Sequence, residues 1–368
     1  VEVFGIYREA DITADGKVIV EADTLLQEMT SDEKGQAGCT LDLPLGSYYV
    51  KELKAPAGYV SSNEVLNFDA SYQGQDVETV VLKAVKKNQP TTVEITKSDI
   101  TTGTELDGAS LKVLDKDGNV VDEWTSVKDA PHVIKRLVVG ETYTLREEFA
   151  PYGYLKATDV EFTVEDNGDV QKVEMKDEVP TGLLIINKKG EFLDKVTLLD
   201  NAKGTVEHLF EYITGSLTEV TFHVYAAEDI KAADGVSEDY FKADELVGTI
   251  TTDTNGIAQL GDLPVGKYYV KEAETAHGYV LDGEPRYVDL SYRDQDTPVV
   301  TYDEAWQNNR QKVKVTVLKK EKDTERVLAG GIFGLFTRED IKNASGDVLM
   351  EADTLIELKT TDENGQIT

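Results

Sequence analysis

Apolar side chains recur at every second position along most of this chain. In GSYYVKELKAPAGY (46 to 59) a glycine opens a run that sets Tyr48, Val50 and Glu52 on one face. GETYTLREEFAPYGY (140 to 154) does the same with Tyr143, Leu145 and Glu147, and GKYYVKEAETAHGY (266 to 279) with Tyr268, Val270 and Glu272. Period two predicts strands with one buried face. A carboxylate that follows two large apolar groups onto that face is costly unless it is paired or holds a proton.

The remaining runs follow the same rule. Short stretches rich in Val, Ile, Thr and Tyr are separated by DG, NG and GN pairs, as in 111 to 124 and 249 to 260, which predicts hairpins. Helical periodicity is nearly absent. Asp115, Asp117 and Asn119 resemble the start of a calcium loop, but Gly118 falls one place early and no acidic twelfth position follows, so a hairpin turn is predicted. Each opening strand ends its apolar face in lysine: Val93, Ile95, Lys97; Leu184, Ile186, Lys188; Val313, Val315, Val317, Lys319. Each closing strand ends its face in Asp or Asn: Val173, Met175, Asp177; Tyr302, Trp306, Asn308; and Asn88, where Lys86 on the same face weakens the alternation.

Repetition sets the architecture. VFGIYREADI (3 to 12) returns as IFGLFTREDI (332 to 341), and EADTL occurs at 21 to 25 and 351 to 355. The expected organisation is an all-β array. Residues 1–89 form a module lacking its first strand, 90–179 and 180–309 are complete modules, and 310–368 is the start of another. The window reads as cut from a longer tandem array. The joints 88–93, 177–183 and 308–313 are too short for flexible linkers, so the modules are expected end to end as a semi-rigid, elongated rod. The third module carries an insertion near 190–220, for which the pattern leaves a hairpin and a short helix both open.

Composition narrows the partners. The 368 residues carry a net charge of -32, which disfavours nucleic acid and anionic membrane. One cysteine, Cys39, excludes an intramolecular disulfide, and His132, His208, His223 and His277 lie one to a region with no metal-ligand spacing. No metal and no cofactor are expected. No run is long and apolar enough to span a membrane, and no Ser/His/Asp set or phosphate loop suggests an enzyme.

The chemistry lies in the recurring Lys, Glu and Asp or Asn. Burial lowers a lysine's pKa and frees its amine, and it raises a glutamate's until the acid can lend a proton. Held against a side-chain carbonyl at high effective molarity, such an amine can form an amide, expelling water from Asp or ammonia from Asn. The competing reading is a lysine that snorkels outward and pairs with the glutamate as an ordinary ion pair.

These residues carry a resemblance. LDGASLKV (106 to 113), LPLGSYYVKELKAPAGY (43 to 59), LPVGKYYVKE (263 to 272) and the terminal Asn or Asp are similar to the Cna B-type, prealbumin-like domains of Gram-positive surface adhesins and pilins. The likeness spans the whole window. VEITKSDITTGTELDGASLKV, LREEFAPYGY and VEMKDE resemble the domain from which a split peptide-tag and catcher pair was made. The resemblance implies Ig-like β-sandwich modules, each locked by an autocatalytic isopeptide bond: Lys97 to Asp177 assisted by Glu147, and Lys188 to Asn308 assisted by Glu272. Thr275 and Ala276 replace the family's Ala-Pro pair, a change expected to affect the turn more than the chemistry. Glu52 and Asn88 lack their lysine, and Lys319 lacks its glutamate and its Asp or Asn, so these end cross-links are incomplete. The expected role is a stalk whose partners are other modules of the same chain. The alternatives are a module binding a host or polymer ligand through the insertion, and an accessory region of a surface enzyme.

Overall fold

The computed structural model describes residues 1–200 and 206–367, and among these every regular element is a strand. The turns follow from local chemistry. At Asp115 the carboxylate accepts from the amides of Asp117 (2.9 Å) and Asn119 (2.8 Å), while Gly118 takes φ +82°. Glycine reaches that left-handed region without the cost that a Cβ imposes. The carboxylate oxygen is thus committed to a hairpin turn, as predicted, and Asp253 repeats the device with Asn255 and Ile257.

The chain divides into two compact units, Val1–Val179 with Asp294–Asp296, and Pro180–Arg293 with Thr297–Thr368. In the first unit, residues 90–179 form two facing sheets. One has the order His132–Lys135, Thr92–Asp99, Val170–Asp177; the other has the order Val160–Thr163, Thr142–Phe149, Ser110–Leu114, Val120–Thr125. Between them lies a core that includes Val93, Ile95, Leu111, Val113, Leu145 and Met175. The opening and closing strands are parallel neighbours, with Lys97 opposite Met175. Asp177 therefore stands two residues past the lysine's partner, on the same face. Residues 1–89 hold one four-stranded sheet, Leu25–Thr30, Val3–Arg8, Gly46–Lys54 and Val65–Ala70, over a smaller core. The segment ending at Asn88 was expected as a strand, but it lies outside regular structure because no opening strand stands beside it to complete a ladder. Its joint to the next module is bonded on both sides, Val60 N to Gln89 O (2.9 Å) and Thr91 Oγ1 to Leu137 O (2.7 Å).

In the second unit the same plan returns. Thr181–Asp200 pairs in parallel with Val299–Asn308, placing Lys188 opposite Trp306 and Asn308 two residues on. Leu246–Thr251, Thr221–Ala226, Lys267–Glu274 and Arg286–Asp289 form the facing sheet. The insertion is a hairpin: Thr181–Asp200 runs on past the lysine and pairs with Val206–Ser216 from Lys189 opposite Ser216 onward. Its outer strand touches the following segment, with Glu207 bridged to Glu357 and His208 Nδ1 2.9 Å from Ile356 O. The expected apolar face of 313 to 319 is not realised. Val313 is 89% exposed and Lys319 is exposed too, because only Val317–Leu318 finds a strand partner, Gln366–Ile367.

Candidate functional site

Lys97, Glu147 and Asp177 meet in the core of residues 90–179, with exposures of 3%, 0% and 0%. Parity brings them there. Lys97 and Asp177 project from adjacent parallel strands, and Glu147 from the opposite sheet, where it faces Leu111 across its ladder. Lys97 Nζ donates to Asp177 Oδ1 and lies 3.0 Å from Glu147 Oε1, an ion-pair approach without aligned hydrogen-bond geometry. Glu147 Oε2 accepts from the Ala157 amide at 2.7 Å. Asp177 Oδ2 is buried with no hydrogen-bond partner. Burial pushes the Asp177 carboxyl up to about 7, against the opposing pull of Lys97 and with a further push from Glu147. At neutral pH a large share of it is therefore the neutral acid, an acyl group that an amine can attack.

The second constellation has the same form. Lys188, Glu272 and Asn308 are 1%, 6% and 1% exposed. Glu272 spans the other two: its Oε2 lies 2.7 Å from Lys188 Nζ, and its Oε1 accepts from Asn308 Nδ2 at 2.5 Å. Lys188 Nζ also stands 5.4 Å from the centre of the buried Phe222 ring. Burial lowers the lysine's pKa, and Glu272 only partly offsets it. A carboxylate bonded at once to an amine and to an amide can carry a proton between them. Thr275 is also at the site: the replacement was expected to affect the turn more than the chemistry, yet its Oγ1 accepts from Asn308 Nδ2 at 2.8 Å. Arg286, which no pattern in the sequence singles out, lies over the Trp306 ring at 4.9 Å and adds to the lowering of Lys188.

In the first module the Glu and Asn halves meet without a lysine. Asn88 Nδ2 donates to Glu52 Oε1 at 2.5 Å, and the Ser62 amide donates to Glu52 Oε2 at 2.8 Å. Lys86 is directed instead to Ser62 Oγ (2.9 Å) and Glu64. Glu2 comes up against Glu52, and burial first, then that hydrogen bond, pushes its carboxyl up to about 7. The sequence offered no signal for Glu2, whose position depends on which segment packs over Glu52. Lys319 has none of these neighbours and is exposed. Among the described residues no group of three or more His, Cys, Asp or Glu is arranged to hold a metal.

A family model described as SpaA, prealbumin-like fold domain, matches residues 3–85, 91–179 and 212–305. Lys97, Glu147 and Asp177 lie inside its second match, whereas Lys188 and Asn308 flank its third. No curated protein matches the chain. Among solved structures, the TIE protein of Bacillus anthracis is 25% identical over 83% of this chain, with a TM-score of 0.43. The chain spans about half, 47%, of that structure's length. The major pilin subunit of Bacillus cereus is 15% identical over 84% of this chain and 95% of its own, with a TM-score of 0.36. A streptococcal ancillary pilin is 18% identical over 77% and 80%, with a TM-score of 0.26.

Proposed function

Because the chain belongs to the SpaA prealbumin-like fold domain family, we propose that it is part of the structural stalk of a Gram-positive surface adhesin or pilin-like protein. In this reading it is extracellular and has no turnover on outside substrates. Its modules are 1–89, 90–179, 180–309 and the start of a fourth at 310–368, and the two middle ones lock themselves with isopeptide bonds. The observation that carries the reading is the burial of Lys97, Glu147 and Asp177 in mutual contact.

Both reactions conserve protons. In the second, the starting state is a lysine ammonium, a Glu147 carboxylate and a neutral Asp177. Glu147 takes one proton from Lys97, and the free Nζ attacks Asp177 Cγ, sending the carbonyl electron pair onto oxygen. Glu147 returns its proton to the departing hydroxyl as the carbonyl re-forms, then accepts the surplus proton from Nζ. Water leaves, and the amide and a neutral Glu147 remain. In the third module Glu272 performs the same transfers and Asn308 Nδ2 leaves as ammonia. The water-poor core strengthens these contacts and withholds the competing nucleophile.

Each bond joins the first and last strands of its module, so tension passes through covalent links and spares the ladders between. The insertion hairpin fits a bracing role, since its outer strand bridges to Leu355–Thr360 and Arg310 lies 3.7 Å over its Tyr212 ring. Intact-mass measurement tests the proposal: the chain is expected one water and one ammonia lighter than its encoded mass. The full encoded mass would refute it.

A further inference from the structure

Asn308 is held by more than the glutamate. Its Nδ2 carries two hydrogens and both are engaged, one by Glu272 Oε1 at 2.5 Å and one by Thr275 Oγ1 at 2.8 Å. Its Oδ1 is buried with no partner. Turning the amide over would set that oxygen against the Glu272 carboxylate and would give up both Nδ2 contacts. The hydroxyl at 275 and the carboxylate at 272 therefore fix the same orientation.

That orientation matters to the reaction. Glu272 has one oxygen on the nucleophile and the other on the nitrogen that must leave. With Nδ2 locked there, the proton taken from Lys188 is delivered across a single carboxyl group to the departing nitrogen, and Cγ and Oδ1 are left to the incoming amine. We propose that Thr275 is a positioning residue for the third module's bond, holding the Asn308 amide so that its nitrogen is the group protonated and expelled. The inference rests on reading Lys188 and Asn308 as a bond-forming pair. Other modules handle this position differently. Three residues past the glutamate the second module has Ala150, where the acceptor Asp177 has no N–H to hold, and the first has Ala55, where Asn88 Nδ2 contacts Glu52. The assistance is thus particular to the third module.

The test is a time course on the full chain, made by cell-free synthesis, quenched in acid at intervals and digested. Mass spectrometry then quantifies the Lys188–Asn308 and Lys97–Asp177 cross-linked peptides. Thr275→Ala is expected to slow the first bond about five-fold, the worth of one neutral hydrogen bond. Thr275→Ser should restore it to within about two-fold, because the hydroxyl returns without the methyl group. The Lys97–Asp177 bond is the internal control and should form at an unchanged rate. Alanine already occupies the matching position of the second module, and protease resistance of each variant checks that the third module folds. Equal rates in wild type and Thr275→Ala overturn the inference, as does equal slowing by Ala and Ser. A wild-type chain that never yields the Lys188–Asn308 peptide instead refutes the underlying bond, an outcome separable from both.

Discussion

Glu147→Gln is the most direct perturbation of the second module. Glutamine keeps the volume of the fully buried side chain and still offers an oxygen to the Ala157 amide, but it cannot take a proton from Lys97. The bond should not form, and one water should return to the intact mass. The cost follows from chain length. Lys97 and Asp177 are 80 residues apart in sequence, so the loop-closure relation used for disulfides gives about 4.5 kcal/mol for the lost cross-link. For a module of this size that corresponds to a fall in unfolding temperature of roughly 20–30 °C. Calorimetry of the full chain would show it as one transition moving down while the third module's stays in place. Lys97→Met, which lacks the nucleophile but keeps an unbranched stem, should fall by a similar amount if closure dominates. A Glu147→Gln chain that still lacks the water, or whose transition moves by less than about 5 °C, would refute the role of Glu147 in closing the bond.

Other outcomes follow from the same geometry. In single-molecule pulling the wild-type second module should release no length between its linked residues, whereas Glu147→Gln should release roughly 270 Å, 80 residues at full extension. The rate of the Asp177 bond should fall about tenfold per pH unit above about 7, since the reacting set must keep the proton that Asp177 then loses; the Asn308 amide does not titrate, so the Asn308 bond should slow only where Lys188, its pKa lowered by burial, gives up the proton that Glu272 relays. Stability before closure has a definite sign. The folded chain binds at Asp177 a proton that the unfolded chain releases near its ordinary value of 3.8, so this contribution is full below about pH 4 and is lost as pH rises to about 7; urea titrations of Glu147→Gln, which removes that residue's upward push, should show the same sign with the loss complete at a lower pH. Gly58→Ala should loosen the first module against the second by about 1–3 kcal/mol, because φ is +84° and the new Cβ would lie 2.5 Å from Arg136 O; faster proteolysis near residues 88 to 93 would report it.

Much of the site was legible in sequence because strands have an integral period. Once Tyr143 and Leu145 are buried, Glu147 must be as well, and the same parity carries Lys97 and Asp177 inward. Parity failed where a residue's surroundings come from a distant strand. The run from Val313 to Lys319 alternates as well as its counterparts do, yet Val313, Val315 and Lys319 are exposed, because alternation specifies a face and not what covers it. The insertion showed mixed periodicity, and its pairing along the extended lysine strand settled it as a hairpin.

The repeats could be read by setting one stretch of the chain against another, and the all-β class, the turns and which side chains share a face follow from neighbours within a few residues. Tertiary structure alone decided that the opening and closing strands lie side by side in parallel, setting each acceptor two residues beyond the lysine's partner. It also brought Thr275 to Asn308 and Glu2 to Glu52. Those contacts join positions far apart in the chain, and no local pattern encodes a distance between strands until the two sheets close over a common core.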